Sequence, residues 1–222
     1  MLLRKKILLM LSIYCACLNL ATAAVALAGS NQFLKVFGEN KLVKIAEARL
    51  PKPFDFLLTQ PLMTFGLEKY YQRQAQIKVI YKQENELNHT YSRGILMLMD
   101  SNKKRNNIEI ARAKKEAVVV EIALITMNFK ALPQKVITGV LHSEQPFGKL
   151  LSANHVKTVS SGREYFLLNC NEKLANLIHC KTNSKLYGRV NTLSRADDNR
   201  WLAKVIEVLP LVSCTDSQCK TQ

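Results

Sequence analysis

Four cysteines, Cys170, Cys180, Cys214 and Cys219, are the residues whose type and spacing bear chemistry most directly. An even number of thiols downstream of a secretory leader points to disulfides, and four thiols allow three connectivities. The local pairing, Cys170–Cys180 and Cys214–Cys219, closes two short loops and is the expected one. A metal site is the alternative reading of the same thiols. No CxxC spacing is present, and His179 beside Cys180 is too little to hold an ion, so no metal is expected. The remaining imidazoles, His89, His142 and His155, are scattered and read as surface or capping residues. The chain has no Gly-rich phosphate loop, no HExxH, no GxSxG and no paired acids in a recognisable frame. Two charged residues stand out by position. Arg93 opens a strand, and Glu207 lies within the apolar run Val205 to Leu209, where an unpaired carboxylate would be costly.

The elements that must position these residues follow from periodicity. Phe54 to Arg73 carries an apolar stripe at helical spacing, interrupted at Pro61. Gln76 to Gln83 alternates as a strand, and Tyr91 to Met99 is a second. Asp100 to Asn107 is a polar, basic turn. Ile108 to Arg112 continues as strand, and Val118 to Phe129 is a long apolar strand. Leu132-Pro133 opens a helix to Leu141, with proline where its missing N–H matters least. Pro146-Phe147-Gly148 turns into a short helix. Val156 to Val159 and Tyr165 to Leu168 are strands, and Asn171 to His179 is helical. Leu186 to Ser194 and Trp201 to Leu209 form a hairpin around Ala196-Asp197-Asp198-Asn199. This order predicts an α+β fold with one antiparallel sheet flanked by helices.

Four places occur in a recognisable order: Leu57-Leu58-Thr59-Gln60-Pro61-Leu62-Met63-Thr64, then Tyr91-Ser92-Arg93-Gly94-Ile95-Leu96. Gln145-Pro146-Phe147-Gly148-Lys149-Leu150-Leu151 follows. Leu186-Tyr187-Gly188-Arg189 with Val205-Ile206-Glu207-Val208-Leu209-Pro210 closes the series. In that order and spacing, from about Phe54 to Pro210, the chain resembles the chorismate lyase (chorismate pyruvate-lyase) family. The resemblance implies a chorismate lyase-like fold with a buried ligand site under helical flaps. It implies elimination of pyruvate from chorismate to give 4-hydroxybenzoate, with no cofactor. It places ligand contacts on Met63, Arg93, Phe147 and Glu207, with Arg93 and Glu207 as the catalytic pair. Arg93 would hold a carboxylate by paired, charge-assisted hydrogen bonds. Glu207, its pKa raised by desolvation, would meet the oxygen that leaves with the ring. Structural readings stand beside these roles: Arg93 as an exposed strand residue or half of an ion pair, Met63 as core, Phe147 as a packing anchor. The alternative function is a non-catalytic module on the same fold, binding a small aromatic carboxylate or a protein partner. The pattern departs from the family in one respect that sets geometry. Two residues, not three, separate Glu207 from Pro210, which predicts that Glu207 turns to the opposite sheet face. The segment Ser101 to Glu116 and the Cys214–Cys219 loop are also additions.

The ends and the composition bound the setting. Arg4, Lys5 and Lys6 precede an uncharged apolar run, Ile7 to Leu20, and small residues from Ala21 to Ala28. This is the pattern of a cleavable secretory signal, and the run is short for a bilayer span of ~20 apolar residues. The expected organisation is a signal over 1–28, a loosely structured lead-in over 29–50, the main domain over 51–212 and a tail with a disulfide loop over 213–222. The expected location is periplasmic or secreted, with no stable membrane insertion once the signal is removed. Lys and Arg number 32 against 17 Asp and Glu, a net charge of +15. The cations are spread along the chain apart from Lys103-Lys104-Arg105 and Lys114-Lys115, and no nucleic-acid motif accompanies them. A solvated basic surface on a monomer that binds a small aromatic carboxylate, and no nucleic acid, is the reading they favour. The mature protein should therefore start between Val25 and Gly29. Mass spectrometry of protein recovered outside the cytoplasm checks this, and an intact Met1 refutes it.

Overall fold

A computed structural model describes residues 29–221; the expected signal segment, 1–28, lies outside the described residues. The apolar runs become strands β1 (Val43–Ile45), β2 (Gln76–Asn85), β3 (Thr90–Asp100), β4 (Ala117–Asn128), β5 (Thr158–Asn169), β6 (Lys185–Arg195) and β7 (Trp201–Leu209). They form one antiparallel sheet in the order β1-β5-β6-β7-β4-β3-β2. Helices cover both faces. On one face lie α2 (Phe54–Leu57), α3 (Met63–Tyr71), α5 (Gln134–His142) and α6 (Phe147–Ala153). On the other lie α1 (Ser30–Phe37), α4 (Ile108–Ala113) and α7 (Glu172–Ile178). The chain is thus α+β with one large antiparallel sheet flanked by helices.

Two covered faces explain why β3 and β4 do not alternate in sequence. From Tyr91 to Asp100 every residue is buried, so both sets of side chains enter a core. Odd-numbered positions of β3 (Ile95, Met97, Met99) join the first core, and Leu96 and Leu98 join the second. The register carries that division across the sheet: Ile95 lies opposite Ala123, and Ala123 opposite Glu207.

Three local expectations change. The segment 108–112, expected as strand, is α4. Asn107 caps it by accepting the Ile110 N–H at 3.0 Å, and Ile108 and Ala111, three residues apart, are the positions it buries. The alternation in Ile-Glu-Ile matched a strand over too short a window to exclude a helix. The stretch expected as a loosely structured lead-in carries α1 and edge strand β1. Phe33 and Phe37 of α1 are buried, and the helix approaches the sheet over Gly94. A Cβ there would lie 3.0 Å from both Val36 Cγ1 and Tyr81 Cβ. Finally, the two strands expected over 156–168 are one, β5, with a register shift between Ser161 and Glu164 at Gly162, whose φ is +61°.

The basic segment after β3 is organised by an acid. Asp100, fully buried, accepts the backbone N–H groups of Asn102 and Asn107 at 2.9 and 3.1 Å. It also accepts two guanidinium bonds from Arg105 at 2.7 and 2.9 Å. The hairpin of β8 (Val212–Cys214) and β9 (Cys219–Thr221) docks on this segment through Cys219 N–H to Ser101 O and Lys103 N–H to Ser217 O.

Both expected disulfides are present, Cys170–Cys180 and Cys214–Cys219. Cys170 and Cys180 are buried in the second core with Leu174 and Ile178, so their link clamps α7 to the ends of β5 and β6. Replacing both Cys170 and Cys180 with alanine should lower the unfolding free energy by about 2–4 kcal/mol, from the loop they close and the packing they lose. Urea titration of the double variant measures this, and an unchanged midpoint would show that the clamp carries no stability.

Candidate functional site

The first core is not fully closed. Between the sheet and its helices lies a cavity that leaves about 30 Å³ open to the centre of a water molecule. Its roof is Pro61 to Thr64, at the start of α3, and Pro146 to Gly148, at the start of α6. Its floor is formed by Ile77, Ile95, Met97, Ile125, Leu193 and Val205, with four polar residues among them: Glu121, Arg189, Asn191 and Glu207. The roof helices are tied by Lys149 Nζ to Glu68 Oε1 at 2.5 Å.

The structure brings Met63, Phe147 and Glu207 together on this cavity. Glu207 therefore faces the helices, contrary to the expectation drawn from its spacing to Pro210. The face of a strand residue is set by its ladder partners. Glu207 lies opposite Ala123 on β4 and Arg189 on β6, and the pairing runs without a shift from there to the end of β7. Counting from the proline fails because Pro210 lies outside the ladder.

Arg189 holds Glu207. Its Nε donates to Glu207 Oε2 at 2.5 Å, and its Nη1 donates to the carbonyls of Leu58, at 2.7 Å, and Gln60. Both side chains are almost wholly removed from solvent. The pair thus joins the sheet to the chain between α2 and α3, and it gives the carbonyl that ends α2 a partner. Gly188 makes room beside it: a Cβ there would meet the Glu207 backbone oxygen and the Phe166 ring, both at 2.6 Å.

Glu121 is the second acid of the cavity. It is 2% exposed, lies near Glu207, and its Oε2 has no partner. Burial, then the neighbouring Glu207 charge, push its pKa well above the carboxylate range, against the opposing pull of Arg189. The shift favours the protonated form of Glu121 relative to an ordinary carboxylate. Asn191 is 3% exposed; its Nδ2 donates to Ser160 Oγ at 3.0 Å and its Oδ1 is unpartnered.

Arg93 lies on the same sheet face, two residues before Ile95 and opposite Ile125, both of which line the cavity. It is not itself a lining residue. Its side chain is fully buried; Nη1 donates to Val140 O of α5 at 3.3 Å, and Nε and Nη2 have no partner. Desolvation lowers its pKa to about 10, partly offset by Tyr91. Neither the exposed-strand reading nor the ion-pair reading of Arg93 describes this environment.

Three polar residues of the cavity floor, Arg189, Glu121 and Asn191, were given no role by the sequence alone. Arg189 stands inside the Leu-Tyr-Gly-Arg motif. Glu121 is the single charged residue in the apolar run Val118 to Phe129, and that isolation was the available signal. Among the described residues no group of three or more His, Cys, Asp or Glu side chains is placed to hold a metal ion. No helix among them is long and apolar enough to cross a membrane.

No protein-family model matches this chain, and no curated protein matches it. Solved structures with a similar course include a gene product of Staphylococcus aureus, at 12% identity over 68% of this chain and 89% of that one, TM-score 0.46. A protein described as the ligand-binding domain of a GntR-family transcriptional regulator from Bordetella bronchiseptica matches at 8% identity, over 67% and 90%, TM-score 0.43. YydK of Bacillus subtilis, described as a possible transcriptional regulator, matches at 11%, over 82% and 76%, TM-score 0.45. At these scores the likeness adds nothing to the argument from the residues.

The proton on Glu121 has a consequence for stability. The unfolded chain gives it up near the ordinary value of 4.5, whereas the folded chain keeps it to higher pH. Folding therefore takes up a proton in that window, and stability falls as pH rises through it. Relative to Glu121→Gln, the wild type should be matched below the carboxylate range and increasingly less stable above it. Urea midpoints of both proteins across a pH series test this; a constant difference would mean that Glu121 ionises normally.

Proposed function

We propose that this domain binds a small organic anion in the cavity, with the ligand carboxylate on Arg93 and the ligand's far end toward Glu207. The observation that carries the reading is the Arg93 guanidinium. A fully buried cation with two donor nitrogens unpartnered is a costly arrangement that an entering carboxylate would relieve through two charge-assisted hydrogen bonds. The apolar floor around it suits a flat, aromatic body. Met63 and Phe147, in the roof, would cover that body. The domain of residues 51–212 would hold the site, with α1 buttressing the other face of the sheet and β1 extending its edge. The two disulfides support an oxidising location, periplasmic or secreted, and the reading of residues 1–28 as a signal fits it.

A second reading has one observation in its favour. Arg93 and Glu207 share a sheet face, as elimination of pyruvate from chorismate would require. Against it, Glu207 already accepts from Arg189 and lies against Glu121, so its oxygens are engaged before any substrate arrives. Binding without turnover is the better-supported function.

Calorimetry with 4-hydroxybenzoate should show binding to the wild type and a loss of about 2–5 kcal/mol in Arg93→Met, a near-isosteric change that removes the charge. No heat from the wild type, or equal affinity in both proteins, would end the reading. Pyruvate release from chorismate, abolished by Glu207→Gln, would instead establish the lyase.

A further inference from the structure

The charges of the cavity do not balance, and the imbalance lies at one end. The titratable residues that line it are Glu121, Glu207 and Arg189, while the helices contribute only uncharged side chains such as Met63, Thr64 and Phe147. Arg189 is committed to Glu207 and to the carbonyls of Leu58 and Gln60. Glu121, 98% buried, lines the cavity with no cation of its own, and its Oε2 is unpartnered. Asn191, which lines the same cavity, has an unpartnered Oδ1.

We infer that Glu121 is a specificity-determining residue and that the ligand end seated against it is an ammonium group. The inference rests on the reading that the ligand's other end is a carboxylate on Arg93. An ammonium donates to Glu121 Oε2, and it supplies the cation that the second carboxyl lacks. The charges then balance: the carboxylates of Glu121 and Glu207 face two cations, the ligand's ammonium and Arg189, and any proton held on Glu121 goes to solvent. A hydroxyl in the same place makes only a neutral hydrogen bond and brings no charge; bonds between charged partners are roughly twice as strong. The open space of the cavity that Glu121 lines admits roughly two water-sized groups, the scale of an aminomethyl terminus. The ligand class is therefore a zwitterion, a carboxylate and a primary ammonium separated by an apolar body.

The test is calorimetry at neutral pH on the mature, disulfide-bonded protein with three probes: para-aminomethylbenzoate, para-hydroxymethylbenzoate and para-ethylbenzoate. The aminomethyl compound should bind at least about tenfold more tightly than the other two. In Glu121→Gln, shown to be folded by circular dichroism, the ratio between aminomethyl and hydroxymethyl should fall to near one. If all three bind through Arg93 with similar affinity, or the preference survives in Glu121→Gln, the assignment of Glu121 is overturned while the carboxylate site stands. If none binds, the carboxylate site itself fails and the assignment falls with it.

Discussion

Arg189 divides its donors between two layers of the molecule. One bond holds Glu207 on the neighbouring strand, and the others hold the carbonyls of Leu58 and Gln60 in the chain that passes over the sheet. In an apolar layer, removing either partner would leave an uncompensated buried charge, at about 3–5 kcal/mol. The connector between α2 and α3 must therefore present its carbonyls to that guanidinium. Once it does, Pro61 to Thr64 fall across the sheet as the roof of the cavity. The ion pair thus sets the shape of the site as well as its charge. Gly188, next in sequence, keeps strand β6 close enough to β7 for the bond to form while Phe166 packs on the reverse face.

Beyond that pair the cavity face carries two residues out of balance, an arginine without an acid and an acid without a base. They do not cancel each other because the sheet holds them apart. Met97 lies opposite Glu121, and Arg93 is four residues further along the same strand, about 13 Å away in an extended ladder. Rigid strands keep the two misfits at separate ends of one apolar surface. The result is a directional site, positive toward α5 and acceptor-rich toward Arg189. A ligand with complementary ends satisfies both, whereas water satisfies neither well in so small a space.

Much of the fold was legible because both covered faces draw on long apolar runs. β3, β4 and β7 follow from composition alone, and proline placed the starts of α5 and α6. The disulfide pairing followed from loop length. What failed was short or non-local. The six residues of α4 are too few for periodicity to distinguish helix from strand, and the deciding contact is a single cap from Asn107. Helix α1 depends on Gly94, some sixty residues away, for its seat. The site divided in the same way. Met63, Phe147 and Glu207 were found through a motif order, and they do share a cavity. The side on which Glu207 falls depends on its register with Ala123 and Arg189, which no count along one strand can supply. Glu121 was visible as a lone charge in an apolar run, but its meaning needed Glu207 beside it, 86 positions away.

The size of the cavity adds a constraint on how such a site works. Pockets for small molecules commonly enclose about 300 Å³ or more, far above the 30 Å³ found here. A carboxylate with an aromatic body therefore enters only if one layer moves. The floor is five strands of a seven-stranded sheet, locked on its reverse face by a second core. The roof is held by fewer bonds, among them the two carbonyl contacts to Arg189, the Lys149–Glu68 pair between α3 and α6, Ala75 N–H to Glu68 and Ile77 N–H to Glu144 O, together with apolar packing. The roof is the layer that can give way. Were it to lift, Arg189 would lose its carbonyl partners but keep Glu207, so the charge pattern of the floor would persist through opening. An entering ligand would then meet electrostatics already in place, and closure of Pro61 to Thr64 would restore the carbonyl bonds and exclude water. Recognition and closure are thereby linked through one guanidinium, which belongs to both layers.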